Sequence, residues 1–177
     1  MNIVEKFSPE HYGNCMDVSD ILSNIAYLSD IDDRPAVYGL YIKSYPRLTL
    51  LYIGSTKNMW KRFINLIGFD HTFTYRLYLR LLERELRRDV SEEEADNLWY
   101  DDKKTRLKIV QKINRLFKHV CIKIEYVESE EEARKYEKLL INTYKPLNPH
   151  YKRNWKILEN LLRFIEHREG PCTMNQA

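Results

Sequence analysis

The sequence lacks most of the features that would assign a chain to a specialised class. It has three cysteines in 177 residues, an odd number without metal-ligand spacing. We therefore predict neither a disulfide framework nor a zinc site, and we expect a reducing intracellular compartment, cytoplasmic or nuclear. No apolar run approaches about 18 residues, so we expect no transmembrane helix and no membrane partner. The N-terminus has no basic segment followed by an apolar core, so we expect no secretory signal.

The sequence also lacks a large excess of basic or acidic residues, since the net charge is only +3. That value permits nucleic-acid binding without indicating it. The charges are nevertheless segregated: residues 89–102 contain seven acids and no base, and residues 103–118 contain seven bases and no acid. A further basic run comprises Arg76, Arg80, Arg84, Arg87 and Arg88. For any one of these runs, a solvated helix face is the default interpretation.

The length suits one ordinary domain. Alternating apolar residues predict strands over about 36–44, 48–53 and 120–126. Helical spacing and capping residues predict helices over about 57–67, 72–89, 91–119, 129–143 and 154–166, with a break near 100–104. We therefore expect an α+β protein with an N-terminal helical extension (1–35), a main domain (36–148) that carries a helical insertion at about 72–119, and a C-terminal helix and tail (149–177).

A strand–turn–strand–helix stretch holds the first candidate site. It contains Gly39-Leu40-Tyr41, Tyr52-Ile53-Gly54 and then Arg62. A symmetric hairpin would place Tyr41 opposite Tyr52 on one face, whereas a slip of one residue would separate them. Two such tyrosines could be cross-strand packing, or one could act as a general base if a cation lowered its pKa from about 10. Arg62 lies on a narrow polar helix stripe, where it could be solvated or could grip a phosphate.

Glu137 is the most informative charged residue, because it lies within the apolar stripe of its helix. A carboxylate directed at an interior must be paired, protonated or bound to a cation. An ion pair with an arginine is the plain interpretation. A single carboxylate completed by water and phosphate oxygens also suits Mg²⁺. The Gly54-Ser55-Thr56 turn could cradle a nucleotide phosphate, but the Walker and dinucleotide patterns are absent, so we rank that interpretation low.

Together these residues resemble the signature of the GIY-YIG nuclease superfamily. Its elements are Gly-Ile-Tyr, about ten residues, Tyr-Ile-Gly, an arginine in the following helix and a glutamate on a later helix. The match covers about residues 36–67 and 120–148. It continues from Glu137 into a tail that resembles the nicking subunit of bacterial excinuclease. The tail residues are Ile141, Tyr144, Pro146 and Asn148.

The resemblance implies a small three-stranded antiparallel sheet flanked by helices, and metal-dependent endonuclease cleavage of DNA. Tyr41 would act as general base or orient the attacking water, assisted by Tyr52. Arg62 would stabilise the phosphate, and Glu137 would hold one Mg²⁺ or Mn²⁺. Four residues are expected to support the site: Gly39, Gly54, Asn148 and His71. We expect contacts to the DNA from Lys57, Lys61, Arg80, Arg84, Arg87 and Arg88.

Two departures from the family pattern bear on mechanism. Leu66 stands where many relatives carry a histidine one turn after the arginine, so proton transfer would fall to His71 or to the second tyrosine; His119 and His150 are alternatives. The long segment before the third strand carries the basic runs, and we expect it to clamp the DNA backbone or read sequence.

Three interpretations follow from the sequence. The first is a DNA endonuclease, for which double-strand cutting would require a homodimer or sequential nicks. The second is a module of the same fold that binds DNA without cutting it. The third is an ion-pair core with no site, in which the signature residues would be dispersed.

Overall fold

A four-stranded antiparallel sheet forms the centre of the fold. The computed structural model describes residues 1–23, 28–44, 47–148 and 155–167. Its strands are β1 (Met16–Asp17), β2 (Ala36–Ser44), β3 (Arg47–Thr56) and β4 (Val120–Tyr126), in the order β1-β4-β2-β3. The predicted α+β class is confirmed. The expected three strands become four because β1 adds to β4 through Met16–Ile122 and Asp17–Cys121 pairs.

Helices in the described ranges surround this sheet. In chain order they are α1 (Ile3–Lys6), α2 (Val18–Ser23), α3 (Met59–Ile67), α4 (Thr72–Leu86), α5 (Glu92–Asp101), α6 (Lys103–Phe117), α7 (Glu130–Tyr144) and α8 (Trp155–His167). The sequence between β3 and β4 therefore folds into α3 followed by the three helices of the expected insertion. The tail after His167, and His150, lie outside the described residues.

Local capping explains where these helices begin. The hydroxyls of Ser91 and Ser129 accept from the backbone N–H groups three residues later, at 3.1 Å in both cases, as the capping boxes predict. The predicted break in the long helical stretch falls at Asp102. Its carboxylate accepts from the backbone N–H of Thr105 at 3.0 Å and starts α6. Asn58 caps α3 in the same way, accepting from the backbone N–H of Lys61 at 2.8 Å.

The β2–β3 hairpin has an offset register with one irregularity. Tyr38 pairs with Gly54 and Leu40 with Tyr52, and beyond the bulge Tyr41 pairs with Leu50. The extra residue, Leu51, shifts the pairing by one position on the side towards the turn. The expected symmetric pairing of Tyr41 with Tyr52 is therefore wrong, and the two side chains point to opposite faces of the sheet.

Each face of the sheet has its own apolar core. The larger core packs Tyr38, Leu40 and Tyr52 against α3, α4, α6 and α8. The smaller one packs Val37, Tyr41 and Ile53 against the N-terminal segment and α7. β3 is an edge strand, so groups from both faces can meet around it.

The N-terminal segment is fastened to the smaller core by polar and covalent links. The ammonium of Lys123, only 2% exposed, donates to the carbonyls of Lys6, Ser8 and His11 at 3.1, 2.9 and 2.6 Å. Cys15 and Cys121 form a disulfide with their Cα atoms 5.5 Å apart. The expectation of no disulfide is therefore wrong. The two cysteines are 106 positions apart in the sequence, so no local pattern indicated the bond. The antiparallel pairing of β1 with β4 brings them together in three dimensions.

Candidate active site

A polar cleft of about 470 Å³ opens beside the edge strand β3. Tyr38 and Tyr52 reach it from the sheet, and Arg62 reaches it from α3. Glu137 comes from α7, on the far side of the strand edge. The predicted polar stripe of α3 forms one wall, since Asn58, Lys61, Arg62 and Asn65 all line the cleft. Three residues of the expected signature, Tyr52, Arg62 and Glu137, thus converge although 85 positions separate the first from the last (137 − 52).

Tyr38 is the first tyrosine of the site, in place of the predicted Tyr41. The rings of Tyr38 and Tyr52 stack with centroids 6.1 Å apart. Gly54 makes this approach feasible, because a Cβ at that position would lie 2.6 Å from Tyr38 and 2.8 Å from Tyr52. The glycine of Tyr-Ile-Gly therefore has a steric role: it leaves space on the sheet face for the two phenols.

Burial governs the protonation of the two phenols. It raises the pKa of Tyr38 well above its ordinary value, and the neighbouring Tyr52 raises it further. Burial also raises the pKa of Tyr52, and the negative charge of Glu137 adds to that rise. The guanidinium of Arg62 lowers the pKa of both groups. Both are therefore neutral phenols at pH 7, electrostatically coupled to Arg62 and Glu137.

His71 connects the phenols to the start of α4. It is fully buried, and its Nδ1 accepts from the backbone N–H of Phe73 at 3.0 Å. Burial, aided by the charge of Arg62, lowers the pKa of His71 to about 3, so the ring is neutral. Because Nδ1 is an acceptor, the ring proton resides on Nε2, which lies 2.6 Å from the Tyr38 hydroxyl. Nε2–H therefore donates to Tyr38, and the phenol proton of Tyr38 is directed elsewhere, towards Tyr52.

Glu137 has one hydrogen-bonding neighbour among the described residues. The Ser55 hydroxyl donates to its Oε2 at 2.5 Å, which orients the carboxylate at the β3 edge. Among the described residues, no lysine or arginine forms an ion pair with Glu137, so the plain ion-pair interpretation has no partner there. No group of three or more histidine, cysteine or carboxylate side chains within the described ranges could hold a metal. Glu137 alone fits an ion that keeps most of its water and takes phosphate oxygens as further ligands.

Three cations of the cleft lack an acidic partner in the part of the chain that the structure describes. They are Lys57, Lys61 and Arg62, which line one side of the opening. Arg134, also in the cleft, pairs with Glu130 at 2.7 Å. Unpaired cations beside a concave surface favour an anionic ligand, and the guanidinium fork suits a phosphate in particular.

Tyr41 and Gly39 lie on the opposite face and take no part in the cleft. The Tyr41 hydroxyl is fully buried and donates to the carbonyl of Phe7 at 2.7 Å, which fastens the N-terminal segment. A Cβ on Gly39 would lie 2.9 Å from the Tyr41 ring, so this glycine makes room for Tyr41. The structure therefore does not bring either predicted site residue to the cleft, because alternation along β2 directs odd-numbered side chains away from Tyr52.

The predicted DNA-binding arginines of α4 are mostly engaged in ion pairs. Arg80 pairs with Glu83 at 2.6 Å and Arg88 pairs with Glu94. Arg84 bridges Glu159 and Glu166 of α8, at 2.6 and 3.1 Å. The Arg84 pairs link α4 to α8 and the Arg88 pair links the end of α4 to α5, whereas the Arg80 pair lies within α4. Much of the basic charge expected to contact DNA is therefore already paired with acids. Arg87, an exposed residue at the C-terminal end of α4, has no ion pair among the described residues.

Asn148 lies behind the site and holds the edge strand. Its side chain accepts from the backbone N–H of Ile53 at 2.9 Å and donates to the Ile53 carbonyl at 2.5 Å. The neighbouring Leu147 N–H donates to the Leu51 carbonyl at 3.0 Å. The segment after α7 therefore occupies hydrogen-bonding positions on β3 that a further strand would use. This fixes the β3 backbone one residue before Gly54, as expected of a supporting residue.

Sequence reasoning missed Tyr38, Ser55 and the capping role of His71. Tyr38 lies on the same strand as Tyr41. Because side chains alternate between the two faces of a strand, only one of these tyrosines can lie beside Tyr52, and the register of the hairpin decides which. Ser55 gave no signal, because a serine in a turn has many uses. His119, one alternative proton-transfer residue, instead packs edge-on against Phe164 at 5.4 Å.

Comparison of the chain with protein-family models, with curated proteins and with solved structures finds no match in any of the three. No described helix has both the length and the apolar character needed to cross a membrane.

Proposed function

We propose that this chain is a metal-dependent DNA endonuclease that hydrolyses a phosphodiester bond in the cleft beside β3. The observation that carries the proposal is the convergence of Tyr38, Tyr52, Arg62 and Glu137 on one cleft from four separate parts of the chain. That set contains a proton-handling pair, a phosphate-binding cation and a lone carboxylate, which are the groups that phosphodiester hydrolysis needs. The GIY-YIG resemblance supports the same chemistry, with Tyr38 replacing Tyr41.

Arg62 and the two lysines would bind the scissile phosphate. Arg62 is half-buried at the wall of the cleft and would stabilise the charge that builds on the phosphate oxygens during attack. Lys57 and Lys61 lie nearer the opening and are exposed, so they would contact adjacent phosphates. None of the three needs to break an ion pair with a described residue in order to do so.

Glu137 would hold Mg²⁺ or Mn²⁺, with Ser55 fixing the carboxylate oxygen that faces the strand. Once bound, the ion supplies Lewis-acid stabilisation of the phosphate and of the departing oxygen. Neutralising the Glu137 charge would also remove one of the influences that raise the pKa of Tyr52.

The tyrosine pair would position the attacking water, and Tyr52, once its own phenol proton has left to solvent at the cleft, would take the proton of that water. His71 donates to Tyr38 through Nε2–H, so a negative charge that develops on the Tyr38 oxygen gains a hydrogen bond already in place. Tyr38 in turn is directed at Tyr52, whose side chain lines the cleft. Tyr38 accepts from His71 and donates to Tyr52, so this chain of hydrogen bonds would stabilise a Tyr52 phenolate at the cleft without requiring a charged histidine.

Nicking of supercoiled plasmid DNA in Mg²⁺ or Mn²⁺ tests the proposal. We expect metal-dependent nicking by the wild type, a loss of at least about 10²-fold in Glu137→Ala, and wild-type behaviour in Glu131→Ala. Glu131 is an exposed acid on the same helix that does not line the cleft, so it controls for charge and helix content. Equal cleavage by Glu137→Ala would remove the metal-ligand role. DNA binding by the wild type without cleavage in either metal would instead favour the non-cleaving module.

A further inference from the structure

A second, aromatic pocket adjoins the catalytic cleft. It has a volume of about 280 Å³ and lies between the α3–α4 turn and α5. Four of its aromatic walls are Phe69, Tyr75, Trp99 and Tyr100, and two carboxylates, Asp70 and Asp96, complete the rim. No lysine or arginine of the described chain lines it, in contrast to the cleft, so the pocket does not suit a phosphate.

The walls are arranged as separate apolar faces around a cavity. Trp99 meets Phe69 at 5.8 Å with an interplanar angle of 41°, and it meets Tyr78 edge-on at 5.1 Å. Tyr100 is 79% exposed, an unusual exposure for so large an aromatic side chain. Such a ring is available to stack on a planar ligand that enters the pocket.

The carboxylates give the pocket hydrogen-bond acceptors at fixed positions. The Tyr75 hydroxyl lies 3.3 Å from Asp96 Oδ1 and donates to it, which orients that carboxylate. Within the described residues, no side chain donates to the exposed Asp70 carboxylate. Carboxylates beside aromatic faces recognise planar rings that bear an amino group, as acidic side chains do with the N4 amino group of cytosine.

The pocket and the cleft share no lining residue, but they follow one another along α3 and α4, so a single strand can reach both. Asn65 and Thr72 line the cleft, whereas Phe69 and Tyr75 line the pocket. Thr72 and Tyr75 lie three residues apart on α4, about 5 Å along the helix axis. Since so short a step separates cleft-lining from pocket-lining residues, a base that leaves the stack beside the phosphate held by Arg62 can turn into the pocket.

We propose that this pocket receives an unpaired nucleobase bearing an exocyclic amino group, adjacent to the phosphate that is cut. The substrate is then DNA with an unpaired or flipped nucleotide at the cleavage site, because a base inside a duplex cannot enter a side pocket. This inference rests on the proposed nuclease function, whose site supplies the neighbouring phosphate contact.

Binding of 2-aminopurine DNA tests the pocket separately from cleavage. The probe is a duplex with one unpaired 2-aminopurine, compared with the same duplex fully paired, both measured without divalent metal. We expect the wild type to bind the unpaired probe about tenfold more tightly, with quenching of its fluorescence by stacking. Tyr100→Ala and Asp70→Asn should remove that preference while leaving affinity for the paired duplex unchanged.

Tyr12→Ala serves as the matched control, because Tyr12 is another exposed tyrosine that lines neither cavity. Equal binding of the two probes, or an undiminished preference in Tyr100→Ala, would overturn the inference even if the protein cuts DNA. A preference that depends on Tyr100 would support the pocket even if no metal supports cleavage, in which case the proposed function fails alone. Quenching of Trp99 by a trimethyl-lysine peptide, without any response to the unpaired probe, would assign the pocket to a protein ligand and also overturn the inference.

Discussion

Removal of one hydroxyl from each of two neighbouring tyrosines gives a sharp test of the site. Tyr38 and Tyr41 lie three residues apart on β2 and point to opposite faces of the sheet. Both are buried, and each hydroxyl has a close partner: His71 at 2.6 Å for Tyr38 and the Phe7 carbonyl at 2.7 Å for Tyr41. Substitution by phenylalanine keeps each ring and removes only the oxygen.

We expect the two variants to differ in activity and to resemble each other in stability. Each leaves one buried hydrogen-bonding group without its partner, which costs about 1–3 kcal/mol in the free energy of unfolding. Tyr38→Phe also removes the hydroxyl that would stabilise the Tyr52 phenolate, so nicking should fall by up to the contribution of general-base catalysis, about 10²–10⁴-fold or about 3–5 kcal/mol in the activation free energy. Tyr41→Phe should keep nicking activity within about threefold of the wild type, because its hydroxyl faces the N-terminal segment.

The assay pairs plasmid nicking with urea unfolding, so that a loss of activity can be separated from a loss of folded protein. Activity is measured at a temperature where both variants remain folded. Full activity in Tyr38→Phe together with inactivity in Tyr41→Phe would refute the assignment and restore the one expected from the sequence. Full activity in both variants would exclude both the Tyr38 and the Tyr41 hydroxyl from the proton transfer.

Three other predictions follow from the same structure. Gly54→Ala should lower nicking at least about 10-fold and destabilise the fold by about 1–3 kcal/mol, because the new Cβ meets the Tyr38 ring at 2.6 Å. Gly13→Ala is the neutral control in the same assays, because a Cβ at that position has no other atom within 4 Å. Burial lowers the pKa of His71 to about 3, so between about pH 6.5 and 3 the unfolded chain binds a proton that the folded chain does not, and stability falls as the pH drops. By pH 4.5 that loss reaches about 2–3 kcal/mol in the free energy of unfolding. In chemical unfolding, the stability of His71→Gln should depend less steeply on pH than that of the wild type. Equal pH dependence in the two proteins would contradict a neutral buried histidine. Lys123→Met should cost about 2–5 kcal/mol in unfolding free energy, since three carbonyls lose their donor. The folded variant should still nick plasmid DNA normally. A variant that is stable but inactive would link the N-terminal segment to the site.

The compartment of the protein stays a prediction. The low cysteine count suggested reducing conditions, but the Cys15–Cys121 disulfide removes that support. The oligomeric state is likewise a prediction, tied to whether one site cuts one strand or two.

Local patterns in the sequence were enough to locate most helices and strands and to name three residues of the candidate site. Capping boxes at Ser91 and Ser129 located helix starts because a cap is a contact between residues three apart. Alternation located the strands, and the polar stripe of α3 foretold which of its faces would be solvated. Tyr52 and Arg62 were identifiable because their spacing resembles the GIY-YIG signature, and Glu137 also because a carboxylate interrupts an apolar helix stripe.

Which groups meet depends on packing in three dimensions. Hairpin register depends on the bulge at Leu51, and a shift of one residue exchanges Tyr41 for Tyr38 beside Tyr52. The pairing of Arg84 with Glu159 and Glu166 spans 75 and 82 positions, so an apparently basic helix face proved to be internally neutralised. The disulfide, the burial of Lys123 and the capping of α4 by His71 likewise depend on three-dimensional packing, which periodicity along the chain does not encode.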